Sequence, residues 1–270
     1  MKRLEARHWA FLGLAVVVIF TMLLGIQPDV TPTGDTLRMY EYINSLPSGS
    51  VLMVSFDHEA SSLPEISPLA VAFLRHAFSK GHRMIGVALL AEGTGVGYNL
   101  MQQTAREYDR EYDIDYVYLG FKPQYIAAML SMGESIRNTY PEDYSGNKYE
   151  QLEMLRGISN YDDIAGVISI ADGSLTTHWM EYAGARYGVR ISAFVTAAMV
   201  TSYDPYLASG QMHNMVGGLR GAAEYEKLIG AGGGGMRAML AQTISHIYII
   251  LLIIVGNIIY FSARSRGKAA

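Results

Sequence analysis

Two apolar stretches lie near the ends of the chain, and most of the charged residues lie between them. The first runs from Trp9 to Ile26 and the second from about Met239 to Phe261. About 20 apolar residues in a helix cross a bilayer, because a helix rises about 1.5 Å per residue and the hydrocarbon core is about 30 Å thick. The sequence therefore predicts transmembrane helices over 9–26 and 236–261, with a domain over 27–235 between them.

Basic residues flank both apolar stretches on the sides that face the chain ends. They are Lys2, Arg3, Arg7, Arg264, Arg266 and Lys268. Lys and Arg close to a span mark its cytoplasmic side, so residues 1–8 and 262–270 are expected in the cytoplasm. The domain is then periplasmic or extracellular, on a two-pass protein of the cell (inner) membrane. The first span is predicted to be an uncleaved signal anchor, because no small-residue cleavage site follows it.

The charge of the domain argues against nucleic acid as a partner. Residues 27–243 hold 15 Lys and Arg against 24 Asp and Glu, a net charge of −9. Such a surface repels the phosphates of nucleic acids and of anionic lipids. The chain has no cysteine, so an exported domain would be held by its core and not by disulfides.

Five short apolar runs within the domain have the length and composition of buried strands. They are Val51–Phe56, Met84–Leu90, Tyr116–Gly120, Ile164–Ala171 and Ile191–Ala198. Nearly continuous apolar runs are typical of strands that are covered on both faces of a parallel sheet. Helix-like stretches separate or flank them, at residues 36–46, 67–80, 96–112, 124–132, 176–187 and 216–229. The alternation predicts an α/β fold with an open, mostly parallel five-stranded sheet, doubly wound in the Rossmann or flavodoxin-like manner.

Polar side chains follow the first and fourth predicted strands. Asp57 and His58 come after the first strand, and Asp172, Ser174 and His178 come after the fourth. Ligands of open α/β sheets bind beyond the carboxyl ends of the strands, so these residues are weak candidates for acid–base or nucleophilic catalysis. The alternative is that they are ordinary turn and capping residues, and the G-x-S-x-G motif of many hydrolases is absent. No metal site is predicted, because consecutive strand residues point to opposite faces.

A glycine-rich motif follows the second predicted strand and is expected to form a loop that opens a helix. Its residues are Gly93, Thr94, Gly95 and Gly97. Bare backbone amides at a helix N-terminus bind anions, so these residues, with Asp57 and Asp172, form the predicted ligand-binding cleft. A tight structural turn is the alternative. The motif is neither a dinucleotide fingerprint nor a P-loop, so no cofactor is predicted.

Two further groups of residues suggest contacts between subunits. The first is a small-residue stretch on the last predicted helix of the domain, and the second lies within the second span. They comprise Gly217, Gly218, Gly221 and Tyr225, and His246 and Asn257. Small residues let helices approach closely, and polar groups within a membrane favour another helix as partner. Packing on the domain's own sheet, for the first group, and contact with water or headgroups, for His246, remain open alternatives.

Three features together resemble a group of uncharacterised bacterial membrane proteins. They are the two terminal anchors, Ser55–Glu59 after the first strand, and the stretch Gly217–Glu226. The resemblance implies an extracytoplasmic α/β domain between two anchors. It implies no activity, cofactor or catalytic residue, and no characterised family shares these features.

The leading hypothesis is a non-enzymatic, membrane-anchored subunit of an oligomeric membrane assembly. Its partners would be the lipid bilayer and further copies of the chain or other membrane subunits. An extracytoplasmic domain that binds a small molecule or anion, or a sensor, is the alternative. A membrane-tethered hydrolase is third.

Overall fold

A computed structural model describes residues 5–26 and 28–267 of the protein, with side chains described for 5–26 and 28–264. Lys2, Arg3 and Lys268 of the predicted cytoplasmic ends lie outside the described residues, and so does the side chain of Arg266. The chain divides into two compact units. One is the domain Val30–Gly235, and the other comprises the two terminal segments on either side of it.

The domain is a six-stranded parallel sheet flanked by helices. Its strands are β1 (Val51–Asp57), β2 (Arg83–Ala88), β3 (Tyr116–Phe121), β4 (Gly166–Ala171), β5 (Ile191–Val195) and β6 (Asn214–Gly217). The helices of the whole chain are α1 (Ala6–Leu23), α2 (Gly34–Ser45), α3 (Leu63–Ser79), α4 (Ala91–Glu107), α5 (Tyr125–Glu134), α6 (Ile136–Thr139), α7 (Leu175–His178), α8 (Ala185–Tyr187), α9 (Ala197–Ala208), α10 (Gly218–Leu228) and α11 (Gly234–Gly267). A π-helical segment, Trp179–Gly184, joins α7 to α8.

The strand order is β3-β2-β1-β4-β5-β6, which is the order of the doubly wound Rossmann-like sheet. All of the sheet's strand pairs are parallel. The chain runs outward from β1 to β3 and then returns to place β4 on the other side of β1. The point where the order reverses therefore lies between β1 and β4. A crevice at this position is where open α/β sheets usually bind ligands.

Both faces of the sheet are covered, as the continuous apolar runs predicted. Along β1, Val51 and Met53 belong to one buried cluster, whereas Leu52 and Val54 belong to another. Successive strand residues point to opposite faces, so the two clusters lie on the two sides of the sheet. Every residue of β1 is buried, which explains why this strand shows no polar alternation.

The prediction of five strands is wrong, because β6 adds a sixth at the edge of the sheet. This strand is only four residues long, begins with Asn214 and ends with Gly217, so it has no apolar run. It pairs with β5, with Ser192 opposite Asn214. The helix predicted from residue 216 therefore begins only at Gly218. Pairing with a neighbour, and not its own composition, makes this segment a strand.

Two other predicted boundaries are also corrected by the structure. The helix expected to start at Ser67 starts at Leu63, where Pro64 fits the first turn because its nitrogen needs no hydrogen-bond partner there. The strand expected to reach Ala198 ends at Val195, and Ala197 begins a helix that the sequence did not predict. Apolar residues thus continue across a strand end and into a helix, which hides the boundary.

Both terminal helices, α1 and α11, are long and apolar enough to cross a membrane. Most of their large apolar side chains are exposed. Examples are Phe11, which is 69% exposed, and Ile259, which is 64% exposed. A helix that is apolar on nearly every side and exposed suits a lipid environment.

A histidine lies within the core of the domain on the face formed by α2, α3 and α10. His76 is 1% exposed, its ring stacks on Tyr40 with centroids 4.7 Å apart, and its Nδ1 shares a 2.8 Å hydrogen bond with the Tyr225 hydroxyl. Burial, with smaller effects from Lys80 and His82, lowers the pKa of His76 to about 3. The ring is therefore neutral in the folded protein at pH values where it would be charged in the unfolded chain.

We expect His76 to make the domain sensitive to acid. An unfolded histidine takes up a proton near pH 6.5, but the folded one does not until about pH 3. The unfolded state therefore binds more protons between these values, and the free energy of unfolding falls as the pH is lowered, by about 1.4 kcal/mol per pH unit for one such group. His76→Gln should reduce this slope in urea unfolding of the full chain between pH 6 and 4.

Tyr225→Phe is the control, because it removes the same hydrogen bond without removing the titrating group. Equal slopes for His76→Gln and the unmodified protein would contradict the expectation.

Candidate functional site at the reversal of strand order

The carboxylate of Asp57 lies buried at the end of β1, beside the point where the strand order reverses. Its Oδ1 accepts a 2.9 Å hydrogen bond from the Leu89 backbone N–H, and its Oδ2 accepts one of 2.9 Å from Trp179 Nε1. Leu89 follows β2, and Trp179 opens the π-helical segment after β4. One side chain thus connects the loops that follow three neighbouring strands, β2, β1 and β4. The pKa of Asp57 is raised, mainly by burial, against the effect of these hydrogen bonds.

Two further carboxylates hold the loop after β1 from either side. Asp172, after β4, accepts a 2.8 Å hydrogen bond from the Glu59 backbone N–H. Glu92, in the first turn of α4, accepts one of 2.9 Å from the Ala60 backbone N–H. A carboxylate is favourable in the first turn of a helix because of the helix dipole. These two side chains therefore tie the loop after β1 to the segment after β4 and to α4.

His58 lies next to these carboxylates and is fully buried. Its Nδ1 is 3.4 Å from the Glu59 carbonyl oxygen, and its Nε2 is buried with no hydrogen-bond partner among the described residues. Burial lowers the pKa of His58, and the charges of Asp172 and Glu92 oppose the shift. A neutral imidazole with no exposed surface is a weak candidate for proton transfer with a ligand in solution.

Ser174 and His178 do not form the pair that a serine hydrolase needs. Ser174 is exposed just before α7, whereas the His178 ring lies against Tyr125, with ring centroids 4.9 Å apart. No hydrogen bond joins Ser174 Oγ to His178 within the described part of the chain, and His178 Nδ1 is buried without a partner. The structure does bring Asp57, His58 and Asp172 to one edge of the sheet, as the sequence predicted.

The glycine-rich motif is helical, so the prediction that it forms a loop before the helix is corrected. Residues 93–97 occupy the first turns of α4. A Cβ at Gly93 would collide with the Phe56 carbonyl oxygen, and one at Gly97 would collide with the Phe56 ring. Gly95 is different, since nothing lies within 4 Å of the position that its Cβ would take. Two of the glycines therefore let α4 approach β1 closely. Anion binding by the motif stays a prediction, and the nearby Glu92 carboxylate is unfavourable for it.

The residues predicted for subunit contacts fall into two groups in the structure. A Cβ at Gly217 would meet Val200, and one at Gly221 would meet Val216; Gly218 lies in the left-handed region, with φ 68°. Tyr225 is fully buried, so it packs inside its own domain. His246 and Asn257 are exposed on α11. The second group is exposed and most of the first is buried, and the subunit contacts of both stay predictions.

Two residues that hold this edge of the sheet together were not singled out in the sequence. Trp179 is fully buried, and Glu65 on α3 accepts a 2.7 Å hydrogen bond from the Ala197 backbone N–H at the start of α9. The chain has only two tryptophans, and this rarity was the one sequence signal that could have drawn attention to Trp179. Among the described residues, no group of three or more His, Asp and Glu side chains is arranged to hold a metal ion.

Comparison with known proteins does not identify this site. No protein-family model matches the chain. No curated protein matches its sequence either. Any functional conclusion therefore depends on the residues of this chain alone.

We expect Asp57 to be a structural residue with a large effect on stability. Asp57→Ala would leave two buried donors, Leu89 N–H and Trp179 Nε1–H, without acceptors. An unpaired buried donor costs about 1–3 kcal/mol, so the free energy of unfolding should fall by about 2–5 kcal/mol. Asp172→Ala is the matched control, because the exposed Glu59 N–H can bind water instead. Urea unfolding followed by Trp179 fluorescence, in a Trp9→Phe background, measures both. Equal losses for the two variants would contradict this role.

The glycines of α4 should respond to alanine in opposite directions. Gly93→Ala forces a methyl group against a strand carbonyl that cannot move, and we expect a loss of about 1–3 kcal/mol. Gly95→Ala meets open space and improves helix propensity, so it should add up to about 1 kcal/mol. Thermal unfolding of the two variants tests the expectation. If both variants change the stability in the same direction, close packing on Phe56 does not explain the glycines of this motif.

Proposed function

We propose that the protein is a non-enzymatic subunit of an oligomeric membrane assembly. In this proposal α1 and α11 cross the cell membrane, the domain lies outside the cytoplasm, and α11 forms the contact between copies. The observation that carries the proposal is a line of exposed polar side chains on α11, on the side opposite to its contact with α1.

Both ends of the domain are fastened to one helix, α10, which supports a chain that enters the membrane twice. At the N-terminal end, the Thr33 backbone N–H donates a 2.9 Å hydrogen bond to the carboxylate of Glu224. At the C-terminal end, the Gly235 N–H donates one of 2.8 Å to the carboxylate of Glu226. Thr33 and Gly235, near the two ends of the domain, are therefore both held by carboxylates of α10.

Within the terminal unit, α1 contacts α11 at Tyr248. The Tyr248 hydroxyl donates a 3.3 Å hydrogen bond to the Ala10 carbonyl oxygen. A Cβ at Gly13 would collide with this hydroxyl, so the glycine lets Tyr248 approach α1. Close approach at a small residue is typical of helices that pack within membranes.

Three polar residues of α11 lie away from Tyr248. A helix turns about 100° per residue, so Asn257 is about 180° around the helix from Tyr248 and about 20° from His246. Gln242 falls about 40° from His246 by the same geometry. All three side chains are exposed. We call Gln242, His246 and Asn257 the polar stripe.

Lipid is a poor environment for the polar stripe. The Asn257 side-chain nitrogen donates a 2.9 Å hydrogen bond to the Ile253 carbonyl of its own helix, but its Oδ1 accepts none from the described residues. Polar groups within a membrane cost free energy unless they pair, and they usually face another helix. A second copy of α11, with the same stripe, supplies donors and acceptors of the matching kind.

The proposal predicts that changes in the polar stripe dissociate the assembly. We expect the full chain, extracted in mild detergent, to have a mass of several copies by native mass spectrometry. His246→Leu combined with Asn257→Leu should shift the mass to a single chain without changing the thermal unfolding of the domain. Asn257→Gln alone, which keeps the amide, should retain the oligomer.

Ile259→Ala is the control variant, since Ile259 is also exposed but lies about 140° from His246. Its mass should equal that of the unmodified protein. A single chain for the unmodified protein would overturn the proposal, and so would an oligomer that survives the double substitution. The same spectra identify any other subunit that co-purifies.

A further inference from the structure

A cavity of about 580 Å³ lies near the amino ends of β5 and β6, away from the carboxyl ends where Asp57 lies. It is bounded by the segment from Thr177 to Gly188 on one side and by the turn Gly210–His213 on the other. Small-molecule sites usually measure about 300–1,000 Å³, so the cavity is large enough for a small ligand. It belongs to the domain and is separate from the polar stripe.

The wall of the cavity is mostly apolar. Met180, Val189 and Ile191 line it and are otherwise buried, and Tyr206 of α9 closes another side. Met180 belongs to the π-helical segment. Such segments are rare and occur often at functional sites, because the extra residue widens the helix and displaces side chains from regular positions.

Arg190 brings a positive charge to this wall. The residue is exposed, it lines the cavity, and it also lines a neighbouring cavity of about 340 Å³. Its main chain is fixed, because the Arg190 carbonyl accepts a 2.8 Å hydrogen bond from the Val167 N–H. Among the described residues, Arg190 forms no ion pair with a carboxylate. In a domain with a net charge of −9, an arginine without an acidic partner beside a cavity is available to a ligand.

Neutral hydrogen-bonding groups surround the guanidinium. Burial raises the pKa of Tyr42, and Arg190 next to its hydroxyl opposes that shift. His213 lines the cavity and packs edge-on against Tyr42, with ring centroids 4.6 Å apart. Burial lowers the pKa of His213, and the positive charge of Arg190 lowers it further. This ring is therefore neutral at pH 7.

The acidic residue of the cavity, Glu181, lies beside a different partner. Its charge raises the pKa of Tyr182, whose hydroxyl it approaches. Glu181 therefore leaves Arg190 free to bind an anion from solution. A guanidinium binds a carboxylate through two parallel N–H···O hydrogen bonds, which gives it both strength and direction.

We propose that this cavity binds a small organic acid, with its carboxylate on Arg190 and its apolar body against Met180, Val189 and Tyr206. His213, which also lines the cavity, provides a neutral hydrogen-bonding group beside the carboxylate. The proposal does not depend on the assembly through α11, because every residue in it belongs to the domain.

The test uses hexanoate as the probe and the full chain in lipid nanodiscs. Isothermal titration calorimetry should detect binding of hexanoate, and much weaker binding of hexanol and of hexylamine. Arg190→Gln should weaken hexanoate binding by about tenfold or more, because it removes the charge-assisted pair. Inorganic phosphate, which has no apolar body, should bind more weakly than hexanoate.

Two variants make the outcome specific to the cavity. Arg186→Gln is the matched control, since Arg186 lies nearby on α8 over the Tyr187 ring and outside the cavity wall. It should bind hexanoate like the unmodified protein. Ala185→Phe places a large ring at an exposed position of the wall, and should abolish binding with unchanged thermal unfolding. Absence of hexanoate binding would overturn the proposal, as would equal binding of hexanol or an unchanged affinity in Arg190→Gln.

Discussion

Asp57 is the residue on which the arrangement of the sheet's carboxyl edge depends. A buried carboxylate with two lone pairs per oxygen can accept hydrogen bonds from several directions, and here it joins Leu89 after β2 to Trp179 after β4. Burial of that group is costly unless such partners are present. Satisfying it fixes Leu89, two residues before α4, and Trp179, the first residue of the π-helical segment.

The same edge has consequences for function. In many doubly wound domains the crevice beside the reversal of strand order receives a ligand. Here Asp172 and Glu92 accept hydrogen bonds from main-chain N–H groups of the loop after β1, and ligand binding at this crevice stays a prediction. The cavity beside Arg190 lies near the opposite ends of the strands. The ligand site that we propose there is therefore separate from the edge that Asp57 organises.

The sequence predicted much of this fold, because buried parallel strands have a strong local signal. The five apolar runs all contain strands, and Asp57, His58 and Asp172 do come to one edge. The sixth strand was missed, because Asn214–Gly217 is short and lacks an apolar run. The glycine motif was predicted as a loop, although Gly93 and Gly97 are in a helix. Glycine has two uses, flexible turns and close packing, and only the neighbouring Phe56 distinguishes them.

The sequence by itself determined the two exposed apolar helices, the parallel α/β class and the acidic character of the domain. These properties follow from composition and periodicity, which act locally along the chain. Only the tertiary structure decided that Tyr225 is buried in its own domain, that Tyr248 of α11 contacts α1, and that Arg190 forms no ion pair with the described residues. Such facts depend on which distant residues meet. A linear pattern does not contain that information, because the pairing of β5 with β6 and of α1 with α11 is settled by packing in three dimensions.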